Sequence, residues 1–339
     1  MSDKRKIFFR IFSLPASVFS VNFYAGLTHQ RTILPLYHTV NDIPPAHIKW
    51  LYPVRSEKQF KRDLEFFLKH YSPVTYHDLV SGKLKKNSFH LSFDDGLREC
   101  YEIIAPVLTE KGIPATFFLN PDFLDNKGLM YRYKVSLLVE KMGDVRGEDV
   151  RQMQETEDVR EMQNTGQLRN WLLRAKHTDE NKINEIAVSL GVNFTKYLEE
   201  KKPYMTSEEV NSLIKKGFTI GAHSMNHPDY RLLTLNEQLL QTKESVNTVT
   251  EKFNPGYRVF AFPFSDNGVK KDFFERALNE IPSLCDATFG CAGMKKDIHP
   301  KHFQRIPVET YTSEAGKIIK FEYFYYLLKA PFGKNNIHR

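Results

Sequence analysis

The chain has 339 residues with a hydrophobic fraction of 41% and an aromatic fraction of 13%, which supplies a large core and excludes a disordered protein. Its formal net charge is +7, but residues 1–31 and 317–339 each carry a net +4, so the segment 32–316 is near neutral at −1. We predict no nucleic-acid partner, because such a protein needs a basic face on its folded body. The three cysteines form no CxxC pair, which favours a reducing compartment over a disulfide framework.

Residues 1–31 form a basic and apolar segment, in which 1–6 are basic overall and 11–28 carry no charge. Arg10 and Pro15 interrupt the apolar run, and no clean cleavage site follows it. We therefore interpret the segment as interfacial or packed on the body, rather than as a signal peptide or a spanning helix. The expected location is cytoplasmic or membrane-peripheral, with a secreted or periplasmic protein as the alternative.

The segment 32–309 alternates short apolar runs with longer amphipathic ones. The apolar runs predict strands at 32–40, 88–93, 115–120, 218–222, 259–262, 286–289 and 303–308. The amphipathic runs predict helices at 57–71, 97–111, 207–216 with Ser207 as its N-cap, 235–253 and 269–281. Strands that alternate with helices of crossover length predict a parallel sheet, either open or closed into a barrel.

Two other segments depart from this alternation. Residues 121–206 are rich in Glu, Lys, Gln and Arg from position 134 onwards, which predicts a helical insertion between two strands. Residues 310–339 are predicted to form a C-terminal helix and a basic tail. The apolar and aromatic stretch Ile318–Leu328 is flanked by lysines, a pattern that suits a membrane interface, but a helix packed on the barrel is the first interpretation and the membrane interface is the alternative.

Two adjacent carboxylates follow the predicted strand 88–93. Asp94 and Asp95 stand directly after it, and Gly96 permits a sharp turn. Neighbouring residues at a strand end point in different directions, so one carboxylate can face a metal while the other faces a bound water. The alternative is that one of the two aspartates merely caps a following helix.

Two further strands also end in residues that suit a ligand site. His223 and His227 follow strand 218–222, and their spacing on a helical turn lets both imidazoles share a metal ion such as zinc, although each alone would be an ordinary histidine. Strand 259–262 is followed by Pro263 and Phe264, which indicate either a β-turn or an apolar wall beside a sugar or acyl group. In a parallel α/β fold these strand ends meet at one edge.

In this order the motifs resemble those of the polysaccharide deacetylase family, also called the NodB-homology domain or carbohydrate esterase family four. The family's TFDDG-like motif corresponds to residues 92–96, with Ser92 in place of threonine, and its H-[ST]-x-x-H motif to residues 223–227. The YHxV-like opening strand corresponds to 37–40 and the third motif to 260–264. The resemblance covers about 32–309, the expected catalytic domain. It implies a distorted (β/α) barrel of the polysaccharide deacetylase type with a helical insertion.

The resemblance also implies an activity, the hydrolytic removal of an acetyl group from a polysaccharide or glycan, with an N-acetyl group and a cell-envelope glycan as the first interpretation. Asp95, His223 and His227 would bind one divalent metal ion, Zn²⁺ first and Co²⁺, Ni²⁺ or Mn²⁺ as alternatives. Asp94 would be the general base that accepts a proton from the attacking water. A backbone N–H after the third motif would help to stabilise the oxyanion.

The chain departs from the family pattern at two functional positions. The arginine that normally orients the base is replaced by Ala261, and Arg305 in the last strand is the first candidate to take its place, with Arg258 the second. The family's C-terminal Leu-x-His motif, which supplies the general acid, has no clear match. His302 and His38 are therefore both candidates for the acid.

Three residues are expected to contact substrate: Pro263, Phe264 and His38. The alternative function is a catalytically impaired glycan-binding or envelope-assembly protein on the same fold, which the missing arginine and the unassigned acid suggest. In both interpretations the partner is an acetylated polysaccharide or glycan. The two basic tails are candidates for peripheral membrane contact.

Overall fold

A computed structural model of the chain describes residues 3–84, 86–143, 165–280, 282–311 and 314–339. The predicted strands 32–40, 88–93 and 303–308 are each broken into two pieces, so that more and shorter strands are present than the sequence predicts. The strands of the described chain are β1 (Thr32–Ile33), β2 (Pro35–Tyr37), β3 (Ser72–Pro73), β4 (Ser88–Phe89), β5 (Leu91–Phe93), β6 (Ala115–Leu119), β7 (Thr219–Ala222), β8 (Val259–Ala261), β9 (Ala287–Gly290), β10 (His302–Gln304) and β11 (Ile306–Pro307).

Helices connect these strands and cover their outer faces. Several begin at a Ser or Thr whose side chain accepts a backbone N–H of the first turn, as Ser56 does for the helix Glu57–His70. The α-helices of the described chain are α1 (Asp3–Ala16), α2 (Val21–Thr28), Glu57–His70, Tyr76–Ser81, Ala105–Glu110, Tyr131–Met142, Thr165–Arg174, Glu180–Ser189, Phe194–Lys201, Ser207–Lys215, Leu235–Phe253, Lys271–Asn279 and Ala315–Lys329.

The main sheet consists of eight parallel strands in the order β10-β9-β8-β7-β6-β5-β2-β11. Only Arg305 separates β10 from β11, so the last strand pairs with β9 through its first half and with β2 through its second. The sheet therefore curls into a nearly closed barrel with helices around it, which confirms the predicted fold class. Because all eight strands are parallel, their carboxyl ends meet at one end of the barrel.

Three hydrophobic clusters are present in the described residues, and the largest joins the strands to the surrounding helices. Leu34, Phe118, Val259 and Phe289 fill the barrel interior, and all four are buried. Outside it, the described part of the predicted insertion, 121–143 and 165–206, packs its helices into a cluster of their own, which also includes Ile48 from the loop after β2. The insertion thus stands beside the carboxyl ends of β2 and β5, next to the strand ends that carry the motifs.

Two predicted helix starts were wrong in detail. The helix Ser207–Lys215 is capped by Thr206, whose side chain accepts the N–H of Glu209 while Glu209 accepts the N–H of Thr206, so Ser207 is the first helical residue and not the cap. The predicted helix 97–111 begins later, with the π-helix Cys100–Ile104, and continues as the α-helix Ala105–Glu110. Residue 281, the predicted end of the helix 269–281, lies outside the described residues.

The C-terminal stretch Ile318–Leu328 lies within the helix Ala315–Lys329, which packs on the body. Ile318, Ile319, Phe321 and Tyr323 are fully buried in it. The stretch is therefore a helix packed on the barrel, one of the two structures that the sequence predicts for it. In the described residues no single helix is long and apolar enough to cross a bilayer; residues 5–16 and 21–28 pass such a test only as a pair, bent by 110°.

Candidate active site

Asp94 and Asp95 lie at the carboxyl end of β5 and point to different partners. Both carboxylates are buried, and Asp95 takes the left-handed conformation at φ 71°. Gly96 follows with φ 64°, and a Cβ there would stand 3.1 Å from a side-chain carbon of Leu119 on the neighbouring strand. A double left-handed turn is costly for a non-glycine residue and directs the Asp95 side chain towards the histidine loop.

The two motif histidines are held by a loop rather than by a helical turn, contrary to the sequence-based prediction. Ser224 and His227 are both left-handed, with φ of 63° and 60°, and the Ser224 hydroxyl accepts the N–H of His227 at 3.0 Å. Asn120, at the end of β6, donates its side-chain amide to the carbonyls of His223 and Ser224. A fixed loop at the end of β7 therefore sets the distance between the two rings.

Asp95, His223 and His227 converge on one point, and all three are buried. The Nε2 atoms of His223 and His227 lie 3.5 and 3.4 Å from the same Asp95 oxygen, Oδ1. That oxygen is buried and has no hydrogen-bond partner, whereas a buried carboxylate oxygen is normally satisfied. An orphaned oxygen between two imidazole nitrogens is the donor set of a divalent metal such as zinc, so these residues fit the metal that the motifs predict.

Both imidazoles are in the form that a metal requires. Burial lowers the pKa of His223 to about 4 and that of His227 to about 3, so both rings are neutral at pH 7. The Nδ1 of His223 lies 2.8 Å from the carbonyl oxygen of Ala261, an acceptor only. Nδ1 therefore carries the proton, and the Nε2 lone pair faces Asp95.

Arg305 forms a hydrogen-bonded ion pair with Asp94. Its Nη1 and Nη2 donate to the two Asp94 oxygens at 2.6 and 2.9 Å, and Nη1 also reaches the Ser92 hydroxyl at 3.2 Å. The Nε atom donates to the carbonyl of Gly290 at 3.1 Å, and the whole side chain is buried. This is a bidentate arginine–carboxylate pair, which fixes the orientation of Asp94.

The arginine also sets the charge state of Asp94. Burial on its own raises the pKa of Asp94, but the charge of Arg305 and the hydrogen bonds that it donates outweigh burial and hold that pKa below its usual value. Asp94 is therefore ionised near neutral pH. Its Oδ2 lies 3.6 Å from Nε2 of His223, next to the three predicted ligands.

His38 stands at the end of β2 beside a second buried carboxylate. Its Nδ1 lies 2.7 Å from Oε2 of Glu309, and Glu309 also accepts the backbone N–H groups of His38 and Thr39. Burial tends to lower the pKa of His38, but the hydrogen bond and charge of Glu309, with smaller contributions from Asp95 and Asp94, raise it to about 9. The ring is thus a protonated imidazolium at neutral pH, and the charges of the two aspartates help to stabilise it.

His302 lies elsewhere, which removes it from the set of candidates for the general acid. It is buried on the outer side of β10, 4.7 Å from the ring of Phe274 in the helix Lys271–Asn279. Its Nε2 lies 3.1 Å from Oδ2 of Asp266, and its Nδ1 2.8 Å from the hydroxyl of Thr288. The Arg339 guanidinium neutralises the same carboxylate and that of Asp297, so these residues form a closed ion cluster.

Arg258, the second candidate to orient the base, also lies apart from Asp94. Its guanidinium donates to the carbonyl of Leu284 at 2.9 Å and to the side chain of Asn247 at 2.5 Å. These contacts tie the start of β8 to its neighbours. Among the described residues, the arginine that contacts Asp94 is Arg305.

The third motif places one aromatic side chain at the ligand cluster. Phe264 is left-handed at φ 54° and 41% exposed, and its ring centroid stands 4.5 Å from that of His227 in an edge-on arrangement. Pro263, in contrast, is buried. Of the two residues expected to contact substrate from this motif, Phe264 presents its ring to solvent beside the cluster, and Pro263 supports the turn.

Two contributors to the site escaped the sequence analysis. Tyr133, from the insertion helix Tyr131–Met142, donates its hydroxyl to Oδ2 of Asp95 at 2.7 Å. No motif surrounds it, and only the structure shows that the insertion reaches a predicted ligand. Glu309 has a signal that could have been used, because it follows a buried strand just as Asp94 does.

The Tyr133 contact predicts a measurable effect on metal binding. Replacing Tyr133 with phenylalanine removes the bond that holds Oδ2, so Oδ1 is no longer oriented, and we expect metal affinity to fall about 10–100-fold. Isothermal titration calorimetry with Zn²⁺ measures this. Tyr131→Phe is the matched control, because the Tyr131 ring contacts His177 and Phe264 instead of Asp95. Equal affinities for the two variants would contradict the role of Tyr133.

Comparison with known proteins agrees with this geometry. A sequence profile of the family described as "Polysaccharide deacetylase" matches residues 81–170 and 175–279, which together exceed half of the chain and include both aspartates and both histidines. No curated protein matches the chain in a sequence comparison.

Solved structures share the fold at low sequence identity. A de-N-acetylase from Aggregatibacter actinomycetemcomitans matches with a TM-score of 0.53 and 15% identity, covering 86% of this chain and 99% of that one. Streptococcus pyogenes deacetylase PplD, solved in complex with acetate, matches with a TM-score of 0.52 and 12% identity, covering 86% of this chain and 97% of that one. IcaB from Ammonifex degensii matches with a TM-score of 0.52 and 13% identity, covering 86% of this chain and 96% of that one. These structures share the fold, and because the family profile matches more than half of the chain, the chain belongs to the polysaccharide deacetylase family.

Proposed function

We propose that this protein is a metal-dependent hydrolase that removes an acetyl group, an N-acetyl group in the first place, from a polysaccharide or glycan. The observation that carries the proposal is the convergence of Asp95, His223 and His227 on one buried point, next to an Asp94 that Arg305 holds in its ionised form. The family and its relatives support deacetylation in general. The metal dependence and the acetylated glycan are the parts that the proposal adds.

The three ligands would hold one divalent ion through one carboxylate and two neutral imidazoles. When bound, such an ion supplies Lewis-acid activation of the acetyl carbonyl and of the attacking water. Nitrogen and oxygen donors of this kind suit Zn²⁺ first and accept Co²⁺, Ni²⁺ or Mn²⁺. The backbone and Tyr133 orient the Asp95 ligand. The φ of 71° at Asp95 and the hydrogen bond from Tyr133 to Oδ2 direct Oδ1 to the cluster.

Asp94 is suited to act as the general base. It is ionised, oriented by two hydrogen bonds from Arg305, and close to the cluster through Oδ2. In the proposed reaction it accepts a proton from water as the oxygen attacks the acetyl carbon. Arg305 thereby does what the family's usual third-motif arginine does, from the junction of β10 and β11, and Ala261 keeps only its carbonyl contact with His223.

His38 is the proposed general acid. It is protonated at neutral pH, and Glu309 orients its ring through Nδ1, which leaves Nε2 free to donate. The proton that Nε2 gives goes to the departing nitrogen as the carbon–nitrogen bond breaks, so the products are a free amine on the sugar and acetic acid, which releases its remaining proton to solvent and becomes acetate. Water supplies the oxygen gained by the acetate, and the proton taken by Asp94 balances the one given by His38.

The proposal is tested by measuring bound metal and released acetate together. Replacing His223 with alanine removes one of three ligands, so the purified variant should lose its metal and release acetate from N-acetylated chito-oligosaccharides or acetylated envelope glycan at background rate. His77→Ala is the control, since His77 is exposed on the helix Tyr76–Ser81. Full metal content in His223→Ala, or no bound metal in the wild-type protein, would refute the proposal.

The acid step predicts a shift in the pH profile. Glu309 raises the pKa of His38, so the imidazolium is present below that pKa of about 9 and is lost above it. We expect Glu309→Gln to lower the pKa of His38 and to move the alkaline limb of kcat to lower pH. Steady-state kinetics from pH 6 to 10 measure this, with the exposed Glu314→Gln as the control. An unmoved alkaline limb would exclude His38 as the acid.

The alternative, a glycan-binding protein without turnover, depended on a missing arginine and an unassigned acid. The Arg305–Asp94 pair and the His38–Glu309 pair each offer a physical substitute. That alternative now predicts a specific result, which is saturable binding of an acetylated oligosaccharide with no acetate released under any of the four metals. The proposed function predicts release with at least one of them.

A further inference from the structure

The outward face of α1 is apolar, the reverse of what a surface helix of a soluble protein normally shows. Ile7, Ile11 and Leu14 follow one another at intervals of four and three residues, which places them along a single stripe of α1, and Val18 follows in the short segment between α1 and α2. Their exposure is high, at 59% for Ile11, 76% for Leu14 and 75% for Val18. We propose that this stripe and the neighbouring face of α2 dock on the surface of an anionic lipid bilayer.

The opposite face of α1 is firmly packed, so the exposed stripe is a surface of a folded element. Phe9 is buried and stacks on Tyr311 with ring centroids 3.8 Å apart, and it meets Phe321 edge-on at 5.0 Å. Arg5 forms an ion pair with the buried Glu322 of the helix Ala315–Lys329. The helix therefore has an inner face that the body requires and an outer face without a partner in the described chain.

The second helix extends the same surface. Phe19 and Phe23 are both exposed and stack on each other at 4.6 Å, and Leu27 is exposed one turn further along α2. Buried Val21, Tyr24 and Ala25 anchor the other side of α2 to the body. Exposed large apolar side chains are thus concentrated in residues 7–27, and a contiguous patch of this kind marks an interaction site.

Charge identifies the occupant as an anionic bilayer. Between residues 4 and 41 the sequence contains no acidic residue, while Lys6 and Arg10 are exposed on α1 and Arg31 is exposed just after α2. Lys317 and Lys334, from the end of the chain that packs on α1, are exposed as well. Apolar and aromatic side chains flanked by basic ones are the composition of an interfacial helix, in which each cation near an anionic surface adds to the binding.

A second copy of the chain fits this surface less well. A twofold contact would place the same patch against itself and bring Lys6, Arg10 and Arg31 towards their own equivalents without any acidic residue to compensate. The helices α1 and α2 also meet at a bend of 110°, so their apolar side chains point outward around a corner instead of forming one flat face. A deformable lipid surface can accommodate such a corner.

The α2 part of the docking surface lies away from the catalytic cluster. Asn22 of α2 accepts a hydrogen bond at 2.9 Å from Asn87, which precedes β4 and so lies at the amino end of the strands. The cluster of Asp94, Asp95 and the two histidines lies at the carboxyl ends. No residue of the docking surface belongs to the catalytic cluster, so membrane docking and the proposed reaction can be tested separately.

The test is flotation of the full-length protein with phosphatidylcholine vesicles that contain or lack phosphatidylglycerol. We expect binding to the anionic vesicles that weakens with added salt. The double variant Ile11→Glu/Leu14→Glu should lower the partition coefficient at least about tenfold, because it removes two apolar side chains and adds two negative charges. Lys6→Gln/Arg10→Gln should reduce the dependence on salt.

Val188→Glu/Leu240→Glu is the matched control, because it makes the same chemical change at exposed apolar residues outside the patch and should float like the wild type. Thermal unfolding followed by circular dichroism verifies that each variant is folded. Equal flotation of the patch variant and the control would overturn the proposal, as would a wild-type protein that fails to float with anionic vesicles. A dimer that Ile11→Glu/Leu14→Glu dissociates, without vesicle binding, would assign the surface to a second copy and overturn it too.

Discussion

Asp94→Asn is expected to lower kcat for acetate release by about 10²–10⁴-fold while metal binding stays at the wild-type level. Asparagine has nearly the same shape and can still accept a hydrogen bond from Arg305, but it cannot take a proton from water. The three ligands are untouched, since none of the distances among Asp95, His223 and His227 involves Asp94. Steady-state kinetics and metal analysis of the same preparation measure both quantities.

The matched control for this variant is Asp122→Asn. Asp122 also follows a barrel strand, β6, but its charged neighbours are Glu244 and Lys127 instead of the cluster. It should retain wild-type kcat. Wild-type activity in Asp94→Asn would show that the base is another group, and loss of metal in the same variant would show that Asp94 is a ligand.

Arg305→Met is expected to combine a loss of activity with a large loss of stability. Methionine leaves the Asp94 carboxylate buried without its cation, and breaking a buried ion pair in this way costs about 3–5 kcal/mol. The same change removes the influence that lowers the pKa of Asp94, so that pKa rises. The acidic limb of kcat should therefore move to higher pH, which a merely structural role would leave in place.

The pH dependence of stability follows from the same pKa. Because the folded-state pKa of Asp94 lies below its usual value, the Arg305 pair stabilises the wild type above the unfolded-state pKa of Asp94, and this stabilisation is lost as the pH falls through the folded-state value. The free energy of unfolding should therefore differ most between wild type and Arg305→Met near neutral pH, and less in acid. Urea denaturation at several pH values measures the difference.

Arg258→Met is the control for this variant, since Arg258 was the other candidate to orient the base. Its contacts with Leu284 and Asn247 leave Asp94 untouched. It should keep the wild-type pH profile whatever its effect on stability. If Arg305→Met has the wild-type acidic limb, the structural pair does not tune the base.

Much of the fold could be predicted from the sequence, because short apolar runs and amphipathic runs alternate with little interruption between 32 and 120 and between 207 and 309. Structural details that depend on single hydrogen bonds could not be predicted in this way. Thr206 and Ser207 are both good caps by residue type, and only the reciprocal bonds between Thr206 and Glu209 decide between them. The His223–His227 segment has helical spacing, but Ser224 and Asn120 hold it as a loop.

The site was predictable where side chains follow strands directly, as Asp94, Asp95 and His223 do. The role of Arg305 could be predicted by the same logic, since an arginine inside a predicted apolar strand needs a buried partner. His302 was a wrong choice of acid, because a residue on a strand can point out of the barrel as easily as in, and its partners lie on the outer side. Tyr133 depends on how the insertion packs over the barrel end, a long-range contact that no local pattern encodes.

The most direct test of the central claim is a titration of metal-free protein with Zn²⁺ during hydrolysis of an N-acetylated oligosaccharide. The buried cluster of Asp95, His223 and His227 predicts that acetate release rises in proportion to the metal bound there and levels off when that site holds one ion per chain. Acetate release by the metal-free protein in the presence of a chelator, or no release at one equivalent of any of the four metals, would contradict it.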